Sequence, residues 1–493
     1  MEPVYSIRPV LAIAVSLACA FLIVLTGEKR RNLREFWTLA ASVLGCTIVV
    51  SMFPHIYHGG EYIFTMVSIV PGVGLDFRVD AFGMFFAFLS SFLWIFTSIY
   101  SIGYMRALKE HAQTRYYFAF AACIASAVGI AFAGNLLTLF IFYEMLTMSA
   151  FPLVIHEETP EALYAGKKYL AYTLSGGALV LLGMAIAYTL AGTLTFTSHG
   201  FLAGHGSAQM LKILFAIFIM GFGVKAAIIP LHSWLPSAMV APTPVSALLH
   251  AVAVVNAGIF GIVRVVCSVY GIELVASLGL GLPLAIVASI TIIVGSLFAL
   301  AQDNLKLMLA YSTVSQLSYI ILGAALLSPS ALSGGVVHIA HQGFMKITLF
   351  FCAGAILVQT GKRNMSEMNG IGRKMPLTMM GFTMCAFGMI GTPPMCGFIT
   401  KWYLGLGALE AGHPIFIVVL LASALLNAAY YLPPVYNAFF KEPDASLKGK
   451  EASWWLLAPI LVCAAISLML GIIPTTSYMP LQLARTFLGI GGM

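Results

Sequence analysis

The sequence predicts an all-α integral membrane protein of about fourteen transmembrane helices, with two inverted five-helix repeats and two broken helices. Three observations carry this expectation. Of 493 residues, 60% are hydrophobic and 9% are charged, against about 25% charged in ordinary soluble domains. Basic residues gather in alternate loops between the apolar runs. Prolines interrupt two apolar runs five spans apart, each beside a lysine.

A spanning helix needs about 20 apolar residues to cross a hydrocarbon core about 30 Å thick. Apolar stretches fit this length near 8–26, 36–53, 82–103, 116–133, 135–155, 168–191, 211–230, 244–268, 276–302, 306–326, 331–358, 376–410, 414–440 and 454–474. They leave no room for a sizeable soluble domain. The first run lacks a basic n-region and a small-residue cleavage site, so it reads as a span and not as a signal peptide. Between the second and third spans, YIFTMVSIVPGVGLDFRVD (62 to 80) partly alternates around Pro-Gly-Val-Gly, which predicts a surface β-hairpin.

Charge asymmetry tests the span count, because a wrong count scrambles the alternation of basic loops. With the amino terminus outside, seventeen basic residues fall in inward loops and four (Arg8, Arg78, Lys212, Arg485) in outward segments. Both termini are therefore expected on the outer side of a prokaryotic plasma membrane. The formal charge of +7 is dispersed over short loops, whereas nucleic-acid binding needs a concentrated basic patch. Cys19, Cys46, Cys123, Cys267, Cys352, Cys385, Cys396 and Cys463 lie singly in apolar runs, without CxxC spacing. No disulfide framework, iron–sulfur cluster, metal site or haem attachment is expected. A glycine-rich nucleotide loop in strand-turn-helix context is likewise missing, so no cofactor is assigned.

Four basic residues (Lys225, Arg264, Lys346 and Lys401) and one acidic residue, Glu144, remain inside spans. A charge at mid-bilayer costs roughly 2.5 to 3.5 kcal/mol on insertion scales, so each needs a partner, a wet cavity or a function. The seventh span, KILFAIFIMGFGVKAAIIPLHSWLP (212 to 236), should break near Pro230, and the twelfth at Pro393 and Pro394, shortly before Lys401. Paired interrupted spans mark transporter sites, because backbone groups freed in a bilayer must face protein or water. The spacing of the breaks divides the chain into 1–115 (three spans and the hairpin), a first unit 116–268, a second unit 269–440, and a C-terminal span within 441–493.

Glu144 needs a cation if ionised, and Lys225 is the candidate, which makes the pair a switch as well as a brace. In the eighth span His250 can pass a proton between its two nitrogens, while Arg264 near the helix end can snorkel, which favours a structural role for it. The eleventh span holds His338, His341, Gln342 and Lys346 within nine residues. At 100° per residue, His341 and Lys346 lie about 60° and 80° to either side of His338, giving one broad polar face. Two histidines and a lysine serve packing poorly, so a proton relay is the natural reading. Tyr311, Ser312, Thr313, Ser315, Gln316 and Ser318 of the tenth span could hold water beside it.

The segments LHSWLPSAMVAPTPVSALLHA (231 to 251), AYSTVSQLSY (310 to 319), HIAHQGFMKITLF (338 to 350) and GTPPMCGFITKW (391 to 402) resemble the antiporter-like subunits shared by respiratory complex I, Mrp-type cation/proton antiporters and membrane-bound hydrogenases. The resemblance runs from about Asp80 to about Phe440. It implies fourteen helices, inverted five-helix repeats and a hydrophilic axis at the midplane. It further implies Glu144 and Lys225 as a coupling pair, His338, His341 and Lys346 of the eleventh span as connecting relay, and Lys401 as terminal lysine. Asn256 departs from the resemblance, since that position is commonly lysine in the family.

The expected function is that of a proton-translocating subunit working with other membrane subunits, which would supply any redox chemistry. Two rivals are a sodium/proton antiporter subunit independent of electron transfer and a docking subunit that transports nothing. A sodium-gradient flux measurement separates the first; the second, to which the Asn256 departure gives weight, is decided by whether Lys225→Ala or Lys401→Ala changes proton flux.

Overall fold

The computed structural model describes residues 3–70, 73–251, 253–443, 450–476 and 479–489, apart from the side chains of Val70 and His250. Helices α1 (Arg8–Thr26) and α2 (Arg31–Tyr57) lead into the hairpin of β2 (Tyr62–Val70) and β3 (Val73–Val79), which are antiparallel as the alternation predicts. A short strand β1 (Val4–Tyr5), too brief to leave a sequence signal, adds to β2 in parallel. There follow α3 (Ala81–Leu108), α4 (Gln113–Ala131), α5 (Leu136–Val154), α6 (Pro160–Ala191) and α7 (Ala208–Lys225).

Local chemistry explains several of the starts. Asp80, Asn135, Thr159 and Ser207 each accept from a backbone amide three residues on, at 2.7, 2.7, 3.1 and 3.3 Å, capping α3, α5, α6 and α7. Such caps satisfy amides that a helix leaves open, which matters more where water is scarce. Gly192 closes α6 at φ 67°, a conformation that side chains disfavour.

After α7 the chain runs through α8 (Trp234–Ser237), α9 (Thr243–Ala251) and α10 (Val254–Arg264), with one π-helical stretch over Val265–Tyr270. Next come α11 (Ile272–Ser277), α12 (Gly281–Leu300), α13 (Leu305–Ala325) and α14 (Pro329–Thr360). The chain closes with α15 (Ile371–Lys374), α16 (Pro376–Ile390), α17 (Cys396–Glu410), α18 (Ile415–Phe440), α19 (Trp454–Ile472) and α20 (Pro480–Phe487). Among the described residues thirteen helices are long and apolar enough to cross a membrane, with Thr243–Tyr270 counted as one. Helices α16 and α17, of 15 residues each, fill the place of the expected twelfth span on either side of its break.

Both expected breaks are present. The first falls earlier than the proline suggests: α7 already ends at Lys225, and the Val224 carbonyl accepts from Trp234 Nε1 at 2.8 Å and from the Ala227 amide at 3.1 Å. The second lies between Ile390 and Cys396, with Gly391 at φ 92°. Helices α9 and α10 flank residue 252, which lies outside the described residues, and together with the π-helical stretch they cover Thr243–Tyr270, the expected eighth span. Asn256 Nδ2 donates to the carbonyl of Ala251 at 2.8 Å.

Helix α14 is the centre of the bundle. With 32 residues it is about 48 Å long, so it must tilt to fit a 30 Å core. Every residue from Ala331 to Ile356 is buried, against α3, α9, α13, α16, α17 and α19. The outer helices expose side chains such as Leu25, Phe36, Ile415, Leu425 and Phe440, the surface that lipid covers at no hydrophobic cost. All eight cysteines are free and buried.

Candidate functional site

The break after α7 places Lys225 inside the bundle, with no exposed surface. Its ammonium donates to the carbonyl oxygen of Tyr143 at 2.5 Å and lies 3.3 Å from the centre of that residue's ring. Glu144 is next in sequence, but successive helical residues point about 100° apart. It is half-buried, and a Cβ at Gly177 of α6 would collide with its Oε1. Among the described residues no ion pair joins Glu144 to Lys225, and Glu144 Oε1 has no hydrogen-bond partner. The pair is thus brought to one helix turn without direct contact.

Helix α10 presses on the same break, since a Cβ at Gly258 would strike the backbone of Lys225 and Ala226. Two residues earlier, Asn256 accepts from Gln342 Nε2 at 3.2 Å. This amide contact joins α10 to α14, and so links the neighbourhood of Lys225 to the histidine helix. The side chain of His250 lies outside the described residues.

On α14 the hydroxyl of Thr400 sits between two imidazoles, 3.1 Å from His338 Nδ1 and 2.9 Å from His341 Nδ1. His338 Nε2 is also 3.1 Å from Gln316 Oε1. One turn further along, Lys346 is fully buried and donates to the Leu309 carbonyl at 3.2 Å, to the Tyr431 hydroxyl at 3.0 Å and to the Ser312 hydroxyl. Its three protons all have acceptors without any carboxylate. Lys401, next to Thr400, donates to the carbonyls of Met389 and Ile390. A cation there suits the negative end of α16, whose last carbonyls the break has freed.

The histidines, the lysines, Ser312 and Gln316 of this seam stand out in the sequence, whereas Thr400 and Tyr431 do not. Each lies beside one other polar residue, Lys401 or Tyr430, in an otherwise apolar run, the pattern of ordinary helix packing. Arg264, for which a structural role is expected, is 2% exposed, and Asp80 accepts from both ends of its guanidinium at 2.5 and 2.7 Å.

Two cavities open at opposite ends of α3. One, about 370 Å³, is lined by Arg78, Asp80, His199 and Arg264; the other, about 390 Å³, by Tyr104, Glu157, Glu161, Lys306 and Arg363. Lys306 donates from the second to the Ala241 carbonyl at 2.6 Å.

Fold and seam together define a multi-pass membrane protein with a polar axis inside its helix bundle. Residues 133–428 match the family described as NADH:quinone oxidoreductase/Mrp antiporter, and the chain belongs to that family. NADH-quinone oxidoreductase subunit N of Desulforudis audaxviator is 31% identical over 478 residues, 94% of each chain. A Na(+)/H(+) antiporter subunit of Bacillus subtilis is 24% identical over 466 residues, 94% of this chain and 93% of that one. A chain in the structure of the Mrp complex from Dietzia sp. DQ12-45-1b shares the fold with a TM-score of 0.88 at 22% identity, over 99% of this chain and 98% of that chain. Some relatives are longer; of one, this chain spans 45%.

Proposed function

We propose that this chain is a proton-translocating, antiporter-like membrane subunit of a multisubunit complex, and that protons move along Lys225, the α10–α14 contact, His341, His338 and Lys401, with Lys346 as a side branch. The observation that carries this reading is the Thr400 hydroxyl between two buried imidazoles, beside Lys401. A hydroxyl donates one proton and accepts on its lone pairs, so it can hand a proton between imidazoles as each changes tautomer. Packing alone needs no such arrangement.

Glu144 is the place where a neighbouring subunit would act, since it is half-buried with an unpartnered oxygen. The matching positions of the two breaks support two five-helix units over 116–268 and 269–440, related by inversion, with both termini on the outer side. Asn256 cannot itself carry a proton, so it orders water beside the α10–α14 contact, and His250 serves with it. Asn256→Lys is accordingly expected to leave proton flux unchanged; a gain of flux in that variant counts against the water-ordering role.

The test is proton uptake by vesicles holding the assembled complex. Thr400→Val, which keeps shape and removes the hydroxyl, should slow uptake about tenfold, the factor that ~1.4 kcal/mol on a barrier produces. Uptake at the parent rate removes the relay from this seam. The name of the Bacillus subtilis relative favours a second reading, a sodium/proton antiporter subunit. Proton flux driven by a sodium gradient without redox substrate distinguishes it. A docking subunit without transport would show no loss in any of these variants.

A further inference from the structure

Away from the seam, the turn after α3 and the loop after α5 bring together three side chains that the proton path does not use. Glu110 Oε2 lies 3.9 Å from His156 Nε2 and 4.0 Å from His111 Nδ1, and one ligand atom from each residue falls within 4.8 Å of the others. His156 has no exposed surface, yet neither of its ring nitrogens has a hydrogen-bond partner. A buried polar group left without a partner costs roughly 1–3 kcal/mol, so such a group calls for an explanation. Its Nε2 faces the Glu110 carboxylate, and its ring lies 4.9 Å from that of His111, tilted by 25°.

We propose that Glu110, His111 and His156 form a binding site for a divalent transition-metal ion of the zinc class. Two imidazoles and one carboxylate are the donor set such ions favour, with the fourth position left to water. Ligand bonds of about 2.0–2.2 Å put donor atoms roughly 3.4 Å apart in a tetrahedron, so small side-chain rotations close the set. His111 is 48% exposed, which gives the ion a route from solvent.

Surrounding groups fit a cation. Arg115 stands nearby, but its charge is met by Glu158 at 2.5 Å. Glu157 adds a further negative charge close to Glu110. Burial, aided by His111 and Arg115, pushes His156 down to about 4, which keeps its ring neutral and its lone pair free. The ion would tie the α3–α4 turn to the α5–α6 loop, beside the cavity that Glu157 and Glu161 line.

Calorimetric titration of the full-length, tag-free protein in detergent with zinc chloride tests this, with cobalt(II) absorption reporting the ligand geometry. One ion should bind per chain, and both His111→Ala and Glu110→Gln should weaken binding at least about tenfold. His111 is exposed enough that its loss leaves the fold intact, and a parallel thermal melt without metal checks this. Zinc should raise the melting temperature of the parent and not of the variants. Failure of the parent to bind zinc, or a smaller loss of affinity in either variant, overturns the site.

Discussion

Lys225→Ala is expected to lower proton uptake by vesicles containing the assembled complex by at least roughly 10²-fold, the lower range of what a positioned proton-transfer group contributes. The lysine stands where α7 breaks, where it offers a titratable group between Tyr143 and α10. Its removal should spare the fold. The Tyr143 carbonyl keeps a hydroxyl donor, Thr147, at 3.3 Å, and a buried ammonium with its desolvation cost disappears. A brace and a relay are separated by Lys225→Arg: arginine keeps the charge and the donors but does not release its proton near neutral pH. Loss of uptake in both variants, with melting behaviour retained in the alanine chain, is the relay result. Parent-level uptake in the alanine variant would leave Lys225 as packing and remove the first step of the proposed path.

Much of this architecture is legible in the sequence because the bilayer writes in large letters. Spanning length and proline breaks each follow from one-dimensional rules; they locate the α16–α17 interruption and place the break after α7 within a few residues. The contact of Asn256 with the Ala251 carbonyl is not legible, because asparagine in an apolar run has many other uses. Lys225 and Glu144 stand out by their charge, but their side-by-side placement without contact depends on the rotation of α5, which no residue pattern near Glu144 encodes. Thr400 and Tyr431 are invisible for a related reason: a hydroxyl becomes part of a relay only when another helix brings an imidazole or ammonium to it. The cluster of Glu110, His111 and His156 is split across two turns more than forty residues apart in the chain, with none of the short spacing by which metal sites are read.

The second large effect concerns stability and lies at the other end of α3. Asp80→Asn is expected to cost about 3–5 kcal/mol, the range for stranding one member of a buried ion pair. Asparagine still caps the helix, so the Gly83 amide remains satisfied. What is lost is the charge that meets Arg264, whose guanidinium is packed among the rings of Phe82, Phe196 and Phe260 and is 2% exposed at the wall of the cavity that Asp80 also lines. Replacing both partners with apolar residues of similar shape, Asp80→Leu with Arg264→Met, should recover most of the loss, because two desolvation costs vanish together. Acid dependence gives an independent check. Burial opposes the charge on Asp80, but Arg264, the Gly83 amide and Arg78 together hold its carboxyl below the ordinary value. A carboxylate whose folded value is depressed contributes fully above its unfolded value, near 3.9, and loses that contribution as pH falls through the folded value. Denaturant or detergent unfolding followed from pH 6 downward should therefore show the parent losing an increment of stability below about pH 4 that Asp80→Asn never had. Equal slopes for the two chains in that acid range would mean that Asp80 does not carry the charge its contacts with Arg264 require.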